Sequence, residues 1–251
     1  MAEKALAVIP ARYASTRFPG KPLALLAGKA MILHVVERVR RARMVSRVLV
    51  ATDDARIFET VTRAGGEAMM TRSAHSSGTE RLAEVALSEM APFYVNVQGD
   101  EPLIEPAAVD AAVEALVSDS AKRTDVATLA VALREPADVL DPNIVKVVTN
   151  FDGHALYFSR APIPSLRGPD AAPASVPTHY KHLGVYVFRR EVLLAFPGLR
   201  PGRLERLEQL EQLRLLEHGY RIRVAVTEHD AVSVDVPADL ERVEAFLRSK
   251  P

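Results

Sequence analysis

Arg12, Arg17 and Lys21 put three cations within ten residues, on a loop that leaves the apolar run Leu6 to Ile9 at Pro10. Ser15 and Thr16 add hydroxyls, while Pro10, Pro19, Gly20 and Pro22 break any helix through the stretch. An apolar strand feeding a cationic, Gly-containing loop suits a polyphosphate. Backbone N–H groups and hydroxyls wrap the oxygens, and Arg and Lys neutralise the charge. Ala11, Arg12, Ser15, Arg17 and Lys21 are therefore candidate nucleotide contacts. Taken alone, the same residues also suit an ordinary solvated loop. The loop is not a Walker A motif, because Pro22 follows Lys21 and no Gly stands five before Gly20; nor does it read G-x-G-x-x-G.

Two carboxylates have suitable positions. Asp100 lies in Gln98-Gly99-Asp100-Glu101-Pro102, directly after the strand-like Phe93 to Val97. In parallel α/β sheets ligands bind beyond the carboxyl ends of the strands, so Asp100 belongs beside the loop that follows the first strand. A carboxylate next to a triphosphate suits Mg2+, a hard ion that prefers oxygen. Asp235 ends a second apolar segment, just before a helix that Pro237 opens. Both aspartates equally suit turn or cap duty. Ser77 and Glu80 form a capping box, and Ser77 with Gly78 presents a helix N-terminus on which a nucleotide can sit.

The elements that must carry these residues alternate. Helical spacing over roughly 30–43, a strand at Val48–Ala51, a helix capped by Thr52-Asp53-Asp54, a strand at Ala68–Met70 and a helix after Ser77 give a βαβα rhythm. That rhythm predicts an α/β fold with a mostly parallel central sheet and helices on both faces. The second half is β-rich at about 125–190. Asn150-Phe151-Asp152-Gly153 reads as a hairpin turn, and residues 161–178 as a long Pro-rich loop. Leucines from Leu204 to Leu215 predict one helix ending near Gly219. The expected organisation is a single domain over residues 1–251 with a smaller inserted β-rich lobe. Lys and Arg total 32, as do Asp and Glu, which argues against nucleic acid or an anionic membrane as partner. There is no cysteine, hence no disulfide, thiolate metal site or Cys nucleophile. With no signal-like segment or long apolar run, the expectation is a cytoplasmic protein.

Arg12 to Leu23, R-Y-A-S-T-R-F-P-G-K-P-L, resembles the signature loop of nucleotide-sugar pyrophosphorylases and cytidylyltransferases. In detail it is similar to the 3-deoxy-manno-octulosonate (Kdo) cytidylyltransferase family. Further matches run along almost the whole chain: Met70 to Glu84, Gln98 to Pro102, Asn143 to Val148, Ala155 to Pro164, His182 to Tyr186, Leu210 to Leu216 and Val234 to Leu240. Phe18, where the family often has Leu, and Ser165, where a larger aromatic is common, depart from the pattern.

The resemblance implies a nucleotide-diphospho-sugar transferase fold, CTP and Kdo as substrates, and CMP-Kdo for lipopolysaccharide synthesis as product. It also implies a homodimer, for which Val126 to Val148 offers a contact surface. By the same resemblance Asp100 and Asp235 bind Mg2+, and Arg12, Arg17 and Lys21 grip the phosphates. Arg72 and Gln98 carry groups that suit cytosine. Arg160 suits the sugar carboxylate, with His182, Tyr186, Glu211 and Gln212 around the sugar and His75 at the margin. Residue types alone leave Tyr186 equally suited to packing, and Glu211 and Gln212 to a solvated helix face. The rival readings are a cytidylyltransferase for sialic acid or an 8-amino Kdo analogue, and a non-catalytic nucleotide-sensing module.

Overall fold

The computed structural model describes residues 4–14, 18–119, 121, 123–168 and 177–249. Its first strand, β1 (Ala5–Ala11), shows the logic of the whole. Ala5, Ala7 and Ile9 enter one core, and Leu6 and Val8 enter another, as the two-residue period of a strand buried on both faces requires. A small hairpin, β2 (Leu25–Leu26) and β3 (Lys29–Ala30), leads into α1 (Met31–Val39). Then follow β4 (Val45–Thr52), α2 (Ala55–Arg63), β5 (Glu67–Met70), α3 (Gly78–Ser88), β6 (Phe93–Asn96) and α4 (Pro106–Val117). β6, β1, β4 and β5 run parallel in that order. Helices α1, α2 and α4 contribute to the first core, α3 to the second.

β7 (Val126–Ala132), α5 (Pro136–Leu140), β8 (Lys146–Thr149), β9 (Ala155–Ser159) and β10 (Tyr180–Arg189) come next. β10 joins antiparallel to β6 on one side and β7 on the other, and β8 pairs antiparallel with β9 and with β10. The turn Asn150 to Gly153 closes as the sequence predicts, with Gly153 at φ 74° and its N–H on the Asn150 carbonyl at 3.0 Å. β7 lies between β10 and β11 with Val126 to Ala130 buried, so within the expected contact segment Val126 to Val148 these five residues offer no free surface. The buried Lys146 ammonium donates to the carbonyls of Asp141, Ile144 and Arg160, so it ties the hairpin to its flanks.

After α6 (Arg190–Ala195) the chain departs again from expectation. The leucine-rich stretch is two short helices, α7 (Arg203–Glu208) and α8 (Gln212–Glu217). Between them Gln209 takes a left-handed conformation, φ 53° and ψ 47°. The break lets Arg214 of α8 reach back to Glu205 of α7 at 2.6 and 2.9 Å and buries Leu210, while Leu207 stays exposed. β11 (Ile222–Val226) then adds parallel to β7. The segment around Asp235 is irregular rather than a strand, and α9 (Pro237–Ser249) follows. Leu26, Met31, Leu103, Val234 and Val243 form a third small core that docks this C-terminal part beside β2. Among the described residues no helix is long and apolar enough to cross a membrane.

Candidate active site

The loop after β1, the turn after β6, the N-terminus of α3 and the segment before α9 meet at the carboxyl end of the parallel strands. They enclose a cavity of about 280 Å³ whose lining includes Ala11, Arg12, Lys21, Ser77, Gly78, Gln98, Asp100 and Asp235. Docking of Val234 brings the distant aspartate in, since its N–H donates to the Asp100 carbonyl at 2.9 Å. The Lys21 ammonium lies 2.5 Å from Asp100 Oδ2 and 3.7 Å from Asp235 Oδ1, and donates to the Val234 carbonyl at 2.8 Å. Two carboxylates 135 positions apart in sequence (235 minus 100) thus share one cation. Arg12 is exposed on the cavity rim, and among the described residues its guanidinium has no hydrogen-bond partner. Ser15 and Arg17 lie outside the described residues.

Close backbone approach shapes the floor. A Cβ at Gly99 would stand 3.0 Å from the Pro10 carbonyl oxygen, and one at Gly78 3.1 Å from Pro10 Cγ. Ser77 caps α3, accepting from the Glu80 N–H at 3.3 Å, although the Glu80 carboxylate returns to the Ser76 N–H rather than that of Ser77.

A second cavity of about 270 Å³ adjoins the first and shares Gly78 and Gln98 with it. Its wall holds His182, Gly184 and Tyr186 from β10, Thr79 from α3, and Leu210, Glu211 and Gln212 from the break between α7 and α8. The break is therefore what turns Glu211 and Gln212 inward rather than onto a solvated face. Burial pushes the Glu211 carboxyl up, against hydrogen bonds from Ser77 and Thr79 that favour its charge. Burial also holds His182 down at about 3, so it is a neutral ring, bonded to the Thr128 hydroxyl at 2.9 Å and edge-on to Phe158. The Tyr186 hydroxyl is pushed well above its ordinary value by burial and by Glu211.

Two candidates are not brought in. The exposed Arg72 is held outside the cavity lining by Glu84, at 3.4 Å through Nε and 3.1 Å through its backbone N–H. Arg160 lines neither cavity, and its guanidinium donates to the carbonyls of Glu208 at 2.9 Å and Pro142 at 3.0 Å. His75 does line the first cavity, and its ring is bonded to Glu84.

Other residues enter unannounced. Arg81, 4% exposed, lines the first cavity and binds Asp53 at 3.0 Å and Thr71 at 2.5 Å. Its signal was an Arg on the buried stripe of an amphipathic helix. Asn96 closes an apolar strand yet faces the second cavity. Glu101 is fully buried beside Asp100, and burial first, then that neighbouring charge, push its carboxyl up to about 8.

Residues 6–222 match the model of a family described as cytidylyltransferase. The chain belongs to the cytidylyltransferase family. Within it, curated relatives named 3-deoxy-manno-octulosonate cytidylyltransferase stand near. That of Geobacter metallireducens is 52% identical over 246 residues, covering 96% of this chain and 96% of its own. That of Syntrophotalea carbinolica is 54% identical, covering 96% of this chain and 98% of its own. A solved CMP:2-keto-3-deoxy-manno-octonic acid synthetase complexed with CTP is 44% identical, with a TM-score of 0.92 over 99% of this chain and 100% of that one. The cytidylyltransferase fold reaches further still: a 4-diphosphocytidyl-2C-methyl-D-erythritol synthase from Anaerococcus prevotii superposes at TM-score 0.61 with 11% identity, covering 98% of this chain and 96% of that one.

Proposed function

We propose that this enzyme transfers CMP from CTP to Kdo, giving CMP-Kdo and pyrophosphate. The observation that carries the reading is the pair of adjoining cavities. One is built of cations, two aspartates and a helix N-terminus; the other carries His182, Tyr186, Glu211 and Gln212 on its wall; they meet at Gly78 and Gln98. The name of the 44% identical relative bound to CTP supports the same substrates.

The triphosphate lies across the loop after β1. Arg12 and Lys21 neutralise its oxygens and the charge that grows on departing pyrophosphate, with Arg17 assigned there by sequence. The N-terminus of α3 and the backbone at Gly78 and Gly99 allow close approach. Gln98 at the junction has both a donor and an acceptor for the cytosine edge. Kdo occupies the second cavity, where neutral His182, Tyr186, Glu211 and Gln212 meet its hydroxyls. Its anomeric hydroxyl attacks the α-phosphorus in line, and pyrophosphate leaves. The protein supplies alignment and charge neutralisation rather than a covalent intermediate.

The convergent oxygens of Asp100 and Asp235 fit Mg2+, an ion usually held by one or two carboxylates plus substrate phosphates. When bound it would supply Lewis-acid polarisation of the phosphoryl oxygens. The homodimer, a cytoplasmic setting where CTP is available, and supply of lipopolysaccharide synthesis complete the proposal. A sedimentation run giving only monomer at working concentration would remove the dimer.

Pyrophosphate release should be scanned with CTP, UTP, ATP and GTP against Kdo, its 8-amino analogue and sialic acid. Release with CTP and Kdo is expected. Release only with another acidic sugar would reassign the second cavity, and release with no pair would leave a nucleotide-sensing module.

A further inference from the structure

β6 reads Phe93-Tyr94-Val95-Asn96, an apolar run that ends in an amide. Asn96 is 1% exposed and lies in register between Val8 of β1 and Tyr186 of β10. Its side chain faces the second cavity. Among the described residues that side chain has no hydrogen-bond partner, and its Oδ1 is wholly out of solvent. Buried amides are nearly always paired, because leaving one unpaired forfeits its hydration for nothing.

Thr79, which shares the cavity wall with Asn96, is engaged elsewhere: its hydroxyl is bonded to Glu211. The space over the amide is kept by a missing side chain. A Cβ at Gly78 would come within 3.8 Å of Asn96 Nδ2. Gly78 is also where the two cavities join.

An amide offers donors and an acceptor together, and the buried acceptor here needs an O–H or N–H. A sugar hydroxyl supplies that donor and can accept in return. An ionised carboxylate only accepts, so it would leave Oδ1 unpaired. We infer that Asn96 is a specificity-determining residue that binds one hydroxyl of the acceptor sugar at the junction of the two cavities. The inference rests on the reading of the second cavity as the Kdo site.

The test is Asn96→Leu, of nearly the same size, with Asn96→Ser as a second, smaller variant. KM for Kdo should rise about ten- to a hundredfold in both, because a polar substrate group loses its buried partner. KM for CTP should stay within about threefold. Tm of Asn96→Leu without substrate should equal or exceed that of the wild type, since an unpaired buried amide is replaced by an apolar group. A set of monodeoxy Kdo analogues then identifies the hydroxyl. At one position, deoxygenation should weaken the wild type but not Asn96→Leu, the non-additivity expected of direct partners.

Three results would overturn the inference: a folded variant with unchanged Kdo KM, additive losses at every hydroxyl, or variants that lose stability and both substrates together, as a structural amide would. Failure of both variants to fold counts as the last of these. The parent reading fails separately, through a wild type that releases no pyrophosphate from CTP and Kdo.

Discussion

Lys21→Met keeps the length and the apolar stem of the side chain but removes the ammonium that Asp100 and Asp235 share. At an effective dielectric of about 20, the attraction at 2.5 Å to Asp100 is about 7 kcal/mol, and that at 3.7 Å to Asp235 about 4.5 kcal/mol, before desolvation. The side chains are 14%, 29% and 42% exposed, so solvent removes most of this. Their order survives: Asp100 is the tighter partner. Without the ammonium the two carboxylates lose the cation they share, and the variant should lose about 1–3 kcal/mol of stability without metal. Mg2+ binds where that charge was, so it should raise Tm more in Lys21→Met than in the wild type. The same variant loses a cation from the departing pyrophosphate, and kcat should fall about 10²- to 10³-fold. Thermal melts with and without Mg2+, beside a pyrophosphate-release assay, read both effects. A kcat within about threefold of wild type, or a Mg2+ response no larger than that of the wild type, would refute the reasoning.

Glu211→Gln should raise KM for Kdo at least about tenfold and leave KM for CTP within about threefold, because the carboxyl lies in the second cavity alone. Gly99→Ala drives a methyl to 3.0 Å from a strand carbonyl that cannot retreat, costing about 1–3 kcal/mol in a denaturant titration. By displacing Asp100 it should also lower kcat more than about tenfold. Burial holds His182 at about 3 rather than 6.5, so between those values the unfolded chain binds a proton that the folded chain refuses. Its contribution is full above pH 6.5 and declines as pH falls toward 3. From pH 7 to pH 5 the loss is about 2 kcal/mol, and urea midpoints should show it in the wild type but not in His182→Gln.

The strand-to-loop passage at Pro10 and the turn at Gln98 to Asp100 were legible because apolar period and Gly/Pro punctuation act locally. The convergence of Asp235 on Asp100 was legible weakly from its place at the end of an apolar segment and strongly only through family resemblance. It depends on Val234 and Val243 burying themselves beside Leu26, a contact across more than 200 residues (243 minus 26) that no local pattern records. The break at Gln209 was hidden for the opposite reason. Every residue from Leu204 to Leu215 favours a helix, and tertiary pairing of Glu205 with Arg214 overrides that preference. Arg81 and Asn96 were overlooked because a polar residue within an apolar run reads as noise until its surroundings are seen. Arg72 was assigned through the family resemblance and Arg160 from its residue type beside the Pro-rich loop, and the structure gives their guanidinium groups to Glu84, Glu208 and Pro142.

The central claim is that cations in one cavity activate the nucleotide while the sugar in the other is the nucleophile. Oxygen-18 placed in the anomeric hydroxyl of Kdo tests it most directly, with phosphorus NMR following the products. The account predicts label in the oxygen bridging phosphorus and sugar in CMP-Kdo, and none in pyrophosphate. Label released to water, with unlabelled CMP-Kdo formed, would contradict it.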